Sequence, residues 1–146
     1  MLGMPPKRPK TPALPTMPAG ERWEFTILSP PRTKKNHQKI IVNKRTGRPM
    51  VIGSDGARQW EADTVGQLKS QWHRDGGLAQ PVELSATVYR ERRTGDLGNY
   101  LAAVCDALEK SGIVVNDRWI ASFDGSRLAC DPDDPRVVLY LTTMQP

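Results

Sequence analysis

Cysteine and aromatic residues are scarce in this chain, long apolar runs are missing, and one basic stretch contains no acid at all. Only two cysteines occur among 146 residues, Cys105 and Cys130, with His37 and His73 as the only histidines. That supply excludes a disulfide framework and makes a Cys/His zinc site improbable. Both thiols are read as small core or boundary residues in a reducing compartment. No apolar run approaches the roughly 18 residues a membrane-spanning helix needs, and the opening MLGMPPKRPKTPALPTMPAG lacks the apolar core of a secretory signal. A cytoplasmic protein without a membrane partner is the expectation.

Acids are absent between Arg32 and Arg48, where seven cations fall: Arg32, Lys34, Lys35, Lys39, Lys44, Arg45 and Arg48. An ordinary surface mixes both signs, so the stretch, Asn36 included, is read as a phosphate-contacting segment. No Phe, Trp or Tyr interleaves it. This argues against a platform for stacking single strands and for duplex arms held through backbone and shape. Arg90, Arg92 and Arg93 are a second basic group of the same kind. The polarity is global: residues 1–60 carry 12 Lys or Arg against 3 acids, a balance of +9, whereas residues 61–146 stand at −4. A polyanion-binding surface beside something that uses carboxylates is the pattern implied.

Residues 1–20 are proline-rich and basic, with too little apolar surface to fold alone, and are expected to form a disordered arm before a domain over 21–146. Within that domain WEFTILSP reads as a strand stopped by Pro30-Pro31, and HQKIIVN and RPMVIG as a hairpin around KRTG. A first helix is expected from Ser54 or Asp55 to Gly76-Gly77, with Trp60, Thr64, Leu68 and Trp72 at helical spacing. PVELSATVYRER alternates as a half-buried strand, a second helix covers 97–111, and WIASFDGSRLAC and RVVLYLTTM supply two last strands. Strands and helices do not alternate regularly, so the fold class is α+β: a small mixed β-sheet with two main helices.

The second helix carries the chemistry. Leu97, Leu101, Val104 and Leu108 fall within an arc of about 60° and form its buried stripe. Asp106 and Lys110 lie opposite, with Asp96 at the edge of that face, and Asp117 follows a short connection able to turn back. Oxygen-only groupings of this kind suit hard divalent cations. Residue by residue the pattern is open: Asp96 reads equally as a helix N-cap, Asp106 as a partner for Lys110 one turn on, and Asp117 as the cap of a following turn.

The run Asp96-Leu97-Gly98-Asn99, followed by Ala102, Asp106, Leu108 and Asn116-Asp117, resembles the RusA-like endodeoxyribonucleases, which resolve Holliday junctions. SPPRTKKNHQKII is similar to the basic segment after the first strand of that family, and the resemblance extends over roughly residues 23–143. It implies an intertwined homodimer that cuts opposed strands of a four-way DNA junction with Mg²⁺, or Mn²⁺ in its place, in a bacterial or phage-infected cell. The family's metal centre falls on Asp96, Gly98 and Asp117, and its assisting lysine on Ala102. Asp96 and Asp117 are then the metal ligands, Asp106 a reserve or orienting group, and Lys110 a partial substitute for the charge missing at Ala102. Because Gly98 and Ala102 replace the family's carboxylate and lysine, the alternative is a junction-binding protein with weak or no cleavage. A basic RNA-associated protein would explain the charge but not the three aspartates.

Overall fold

The computed structural model describes residues 11–33, 39–42, 44–52 and 55–146. In chain order its elements are β1 (Arg22–Ile27), β2 (Lys39–Val42), β3 (Pro49–Ile52), α1 (Asp55–Gln71), β4 (Val82–Arg90), α2 (Leu97–Lys110), a 3₁₀ turn (Asp117–Trp119), β5 (Ile120–Ser122), β6 (Arg127–Cys130) and β7 (Arg136–Thr143). β2 and β3 form a separate antiparallel hairpin. The rest make one mixed sheet in which β7 lies antiparallel between β1 and β4, while β5 and β6 run parallel along the far edge of β4. An α+β fold with a mixed sheet and two helices is therefore what the chain adopts.

The period-2 pattern of β4 sends Val82, Leu84, Ala86 and Val88 to one face, where none keeps any exposed surface. Register extends that face across the sheet: Leu84 stands opposite Leu141, Ala86 opposite Leu139 and Val88 opposite Val137, with Phe25 and Ile27 beyond on β1. α2 covers the face with Leu101, Val104 and Leu108, and α1 adds Trp60 and Leu68 to the same core. Each such Val, Leu or Ile side chain stabilises the fold by about 1.5–3 kcal/mol relative to an exposed one. Trp60 is buried, while Trp72 packs edge-on against Trp23 with ring centroids 5.4 Å apart.

Three local expectations are corrected. α1 stops at Gln71 instead of running to Gly76-Gly77, and at that end the Gln71 amide ties the helix to β1, accepting from Thr26 N at 2.9 Å and donating to Thr26 O at 2.9 Å and to Gln67 O of its own helix at 3.0 Å. Those glycines serve close backbone approach: a Cβ on Gly76 would come 2.6 Å from the Pro12 carbonyl oxygen, and one on Gly77 would collide with that of Gly112. WIASFDGSRLAC is two strands, since Ser126 places its hydroxyl on β4 between them, donating to Leu84 O at 3.1 Å and accepting from Ala86 N at 3.0 Å.

The third concerns the arm. Residues 1–10 lie outside the described residues, but residues 11–20 are docked. Leu14 N donates to Gly77 O and Gly77 N to Pro12 O, both at 2.9 Å, and the Gln80 side chain makes a reciprocal pair with the Met17 backbone. Leu14 and Met17 pack on the core. Proline removes donors but leaves carbonyls, so such a segment can still pair with a neighbour that offers N–H groups. Among the described residues no helix is long and apolar enough to cross a membrane.

Candidate functional site

β4 delivers the chain to Arg90 at the helix end of the sheet, and α2 begins seven residues later. The connection between them is held from inside. Arg90 donates through Nε to Ala129 O at 3.3 Å, and through Nη1 to Thr94 O at 3.2 Å and Gly95 O at 3.4 Å; Tyr100 Oη donates to Thr94 O at 3.1 Å. Gly95 has φ +86°, and a Cβ there would come 2.8–3.0 Å from the Tyr100 ring and hydroxyl, so the turn requires glycine. Burial pushes the Tyr100 phenol above its ordinary pKa, against the opposing charges of Arg90 and Arg32. Arg90, expected as a DNA contact, thus has its guanidinium turned onto backbone carbonyls.

This turn sets Asp96. It occupies the N-cap position of α2 in extended backbone (φ −100°, ψ 145°), yet its side chain caps no backbone N–H. Its Oδ2 accepts instead from Asn99 Nδ2 at 3.0 Å, and the residue is exposed. An N-cap aspartate normally satisfies an N–H of the first turn; this one holds its carboxylate toward solvent, anchored by one neutral amide. Gly98 and Ala102 are exposed on the same helix, and a Cβ added at Gly98 would find nothing within 4 Å.

After α2 the chain turns back because Ile113 and Val114 bury completely, and Val115 N donates to Leu78 O at 3.0 Å. Asn116, not Asp117, caps the 3₁₀ turn, accepting from Arg118 N at 2.9 Å. Asp117 is thereby left exposed beside α2. The thiol of buried Cys105 records the neighbourhood: burial, then the charges of Asp117 and Asp106, push its pKa up to about 12.

The other two expected residues fare differently. Ten residues of α-helix separate Asp106 from Asp96, about 15 Å at 1.5 Å per residue, so these two cannot ligate one ion. Lys110 forms an ion pair with Glu61 of α1 and stands eight residues, about 12 Å, from Ala102; it is no substitute for a charge there. Among the described residues, no group of three His, Cys, Asp or Glu is placed to hold a metal ion.

Beside Asp96 the segments Pro31–Thr33 and Arg90–Gly95 enclose, with Tyr100, a cleft of about 810 Å³. Arg32 and Arg92 line it, Arg93 is exposed on the same connection, and Lys44, Arg45 and Arg48 are exposed around the β2–β3 turn. Lys39 lies in β2, and Lys34, Lys35 and Asn36 fall outside the described residues. Sequence reasoning missed the roles of Tyr100 and Gly95; the Thr-Gly-Asp sequence just before a helical pattern was the available signal of a tight turn.

The site is thus a sheet whose central strand runs into an arginine-lined cleft, followed by a helix that opens on an outward-held aspartate. The chain belongs to the RusA endodeoxyribonuclease family, whose family model matches residues 29–141, a span including the cleft, α2, the 3₁₀ turn and nearly all of the sheet after β1. Comparison with curated proteins returned no match.

Proposed function

We propose that the chain is a structure-selective endodeoxyribonuclease that binds four-way or branched DNA and hydrolyses a phosphodiester in each of two opposed strands. The observation that carries this reading is the exposed, uncapping carboxylate of Asp96, the residue that follows Gly95 of the arginine-lined cleft. Asp96 and Asp117 would be the protein ligands of a Mg²⁺ or Mn²⁺ ion, which would need no third protein carboxylate because Mg²⁺ commonly keeps waters and takes substrate phosphate oxygens. When bound, such an ion lowers the pKa of a water and stabilises charge on the phosphoryl oxygens. The protein's own contribution is to hold Asp96 by Asn99, to fix the turn before it through Arg90 and Tyr100, and to neutralise phosphates with Arg32, Arg92, Arg93 and the hairpin cations.

A homodimer suits a substrate that is itself two-fold symmetric, since each protomer then serves one of the opposed strands. The setting is the cytoplasm of a bacterial or phage-infected cell. A second reading, a junction-binding protein with weak or no cleavage, is favoured by Gly98 and Ala102, which present no carboxylate and no lysine on the exposed face of α2.

One experiment tests both: a labelled four-way junction incubated with and without Mg²⁺, resolved on native and denaturing gels. Retarded junction plus paired nicks only with Mg²⁺ is the expected result. Retardation without nicks selects the binding protein, and no preference for the junction over linear duplex refutes both. Binding should persist in EDTA and weaken steeply with salt, because counterion release supplies most of the affinity.

A further inference from the structure

Within the cleft the arginines are not equivalent. Arg90 points inward to three carbonyls, whereas Arg32 remains over a third exposed, donates through Nη1 to the neighbouring Pro31 O at 3.1 Å, and meets the Glu91 carboxylate, itself nearly half exposed, through Nη2 at 3.4 Å. That separation is long for a charge-assisted bond, which closes to about 2.7–2.9 Å when well made. A carboxylate among cations at the edge of a polyanion site is otherwise costly for binding, since it repels the ligand the cations attract. The arrangement makes sense if its position is exchangeable with that of another anion. A guanidinium takes phosphate through two parallel N–H···O bonds, a better match than this single long contact.

We propose that the cleft is a subsite for one phosphodiester of the duplex arm beside the cut, in which Glu91 holds Arg32 in the free protein and the incoming phosphate displaces it. This rests on the branched-DNA reading above. Arg92, which also lines the cleft, adds to its cationic walls, and Glu91 swings to solvent. The subsite lies next to Asp96 in the chain, since Gly95 is part of its wall. An exposed pair of this kind contributes little, so releasing it should tighten binding about two- to fivefold.

The test is junction affinity in EDTA, measured by fluorescence anisotropy over a salt series, for Glu91→Gln, Arg32→Gln and the double variant. Glu21→Gln, at the opposite end of β1, is the control for net charge alone, and thermal unfolding checks that each variant folds. Glu91→Gln should tighten binding about two- to fivefold, Glu21→Gln by clearly less, and Arg32→Gln should weaken it and lower the salt slope by about 0.9. In the Arg32→Gln background the gain from Glu91→Gln should vanish. An equal gain from Glu21→Gln, or an undiminished gain without Arg32, overturns the subsite while leaving junction binding intact. If the unaltered protein shows no junction preference, the branched-DNA reading falls, and the subsite with it.

Discussion

If position 98 is a vacated ligand position, as the resemblance of Asp96-Leu97-Gly98-Asn99 to the RusA-like nucleases implies, replacing Gly98 by aspartate supplies the carboxylate expected there. The structure accepts it without rearrangement, because Gly98 is exposed, is not held at positive φ, and a Cβ there meets nothing within 4 Å. Position 98 is the second residue of α2, a helix with no acid in its first turn. An acid there gains about 0.5 kcal/mol from the helix dipole and a few tenths from replacing glycine. Against this, two carboxylates about 6 Å apart in water repel by about 0.7 kcal/mol. The terms nearly cancel, so without metal Gly98→Asp should melt within about 2 °C of the parent. Magnesium breaks the tie. At ten times its dissociation constant an ion bound only to the folded state adds about 1.4 kcal/mol, or about 3–5 °C. Thermal unfolding with and without Mg²⁺, beside junction cleavage over a Mg²⁺ series, measures both consequences. A Mg²⁺-dependent rise in melting temperature no larger than the parent's, with cleavage no faster, refutes the idea that Gly98 vacates a ligand position.

Asp117→Asn should abolish cleavage while leaving junction affinity equal or higher, since a phosphate-repelling charge is lost. The same substitution should lower the pH at which folded Cys105 becomes alkylated, because Asp117 is one cause of its raised pKa; an unchanged pH midpoint would separate the two residues. Arg90→Met should cost about 2 kcal/mol in urea unfolding through loss of three guanidinium contacts to carbonyls, whereas loss of DNA affinity with unaltered stability would make Arg90 a phosphate contact after all. Cys105 also sets an alkaline limit. Its folded pKa of about 12 exceeds the roughly 8.5 of a free thiol, so the unfolded chain loses the proton first and stability should fall as pH rises from about 8.5 toward 12. Cys105→Ala should flatten that slope, and an identical slope in the variant would show that other groups cause it.

Hydrophobic period was the most legible signal. β4 and β7 bury alternate residues, and α2 begins and ends within a residue of where its apolar stripe places it. Events decided by single side chains acting across the fold were not legible. The Gln71 amide at the end of α1 and the Ser126 hydroxyl between β5 and β6 both satisfy backbone groups 40 or more residues away, and no local pattern announces such a partner. The docked segment 11–20 is hidden for the same reason: its donors and acceptors are matched by Gly77, Gln80 and Thr143, far off in sequence.

At the site, the distinction between angle and height explains what was misjudged. A helical wheel groups Asp106 and Lys110 with Asp96 by angle, but it discards the 1.5 Å rise that separates ten residues by about 15 Å. Only residues within about a turn of Asp96, or on another element brought beside that turn, can cooperate with it. That rule disqualifies Asp106 and Lys110, and it retains Gly98 and Asn99 on α2 together with the cleft residues of the preceding turn. It also shifts attention between two glycines. Gly98 is the position where the proposed function would use a carboxylate, while Gly95 is the one the backbone cannot do without, since its φ is positive and a Cβ there would collide with Tyr100. Substituting Gly95 should therefore harm the site through geometry, and substituting Gly98 should improve it through chemistry.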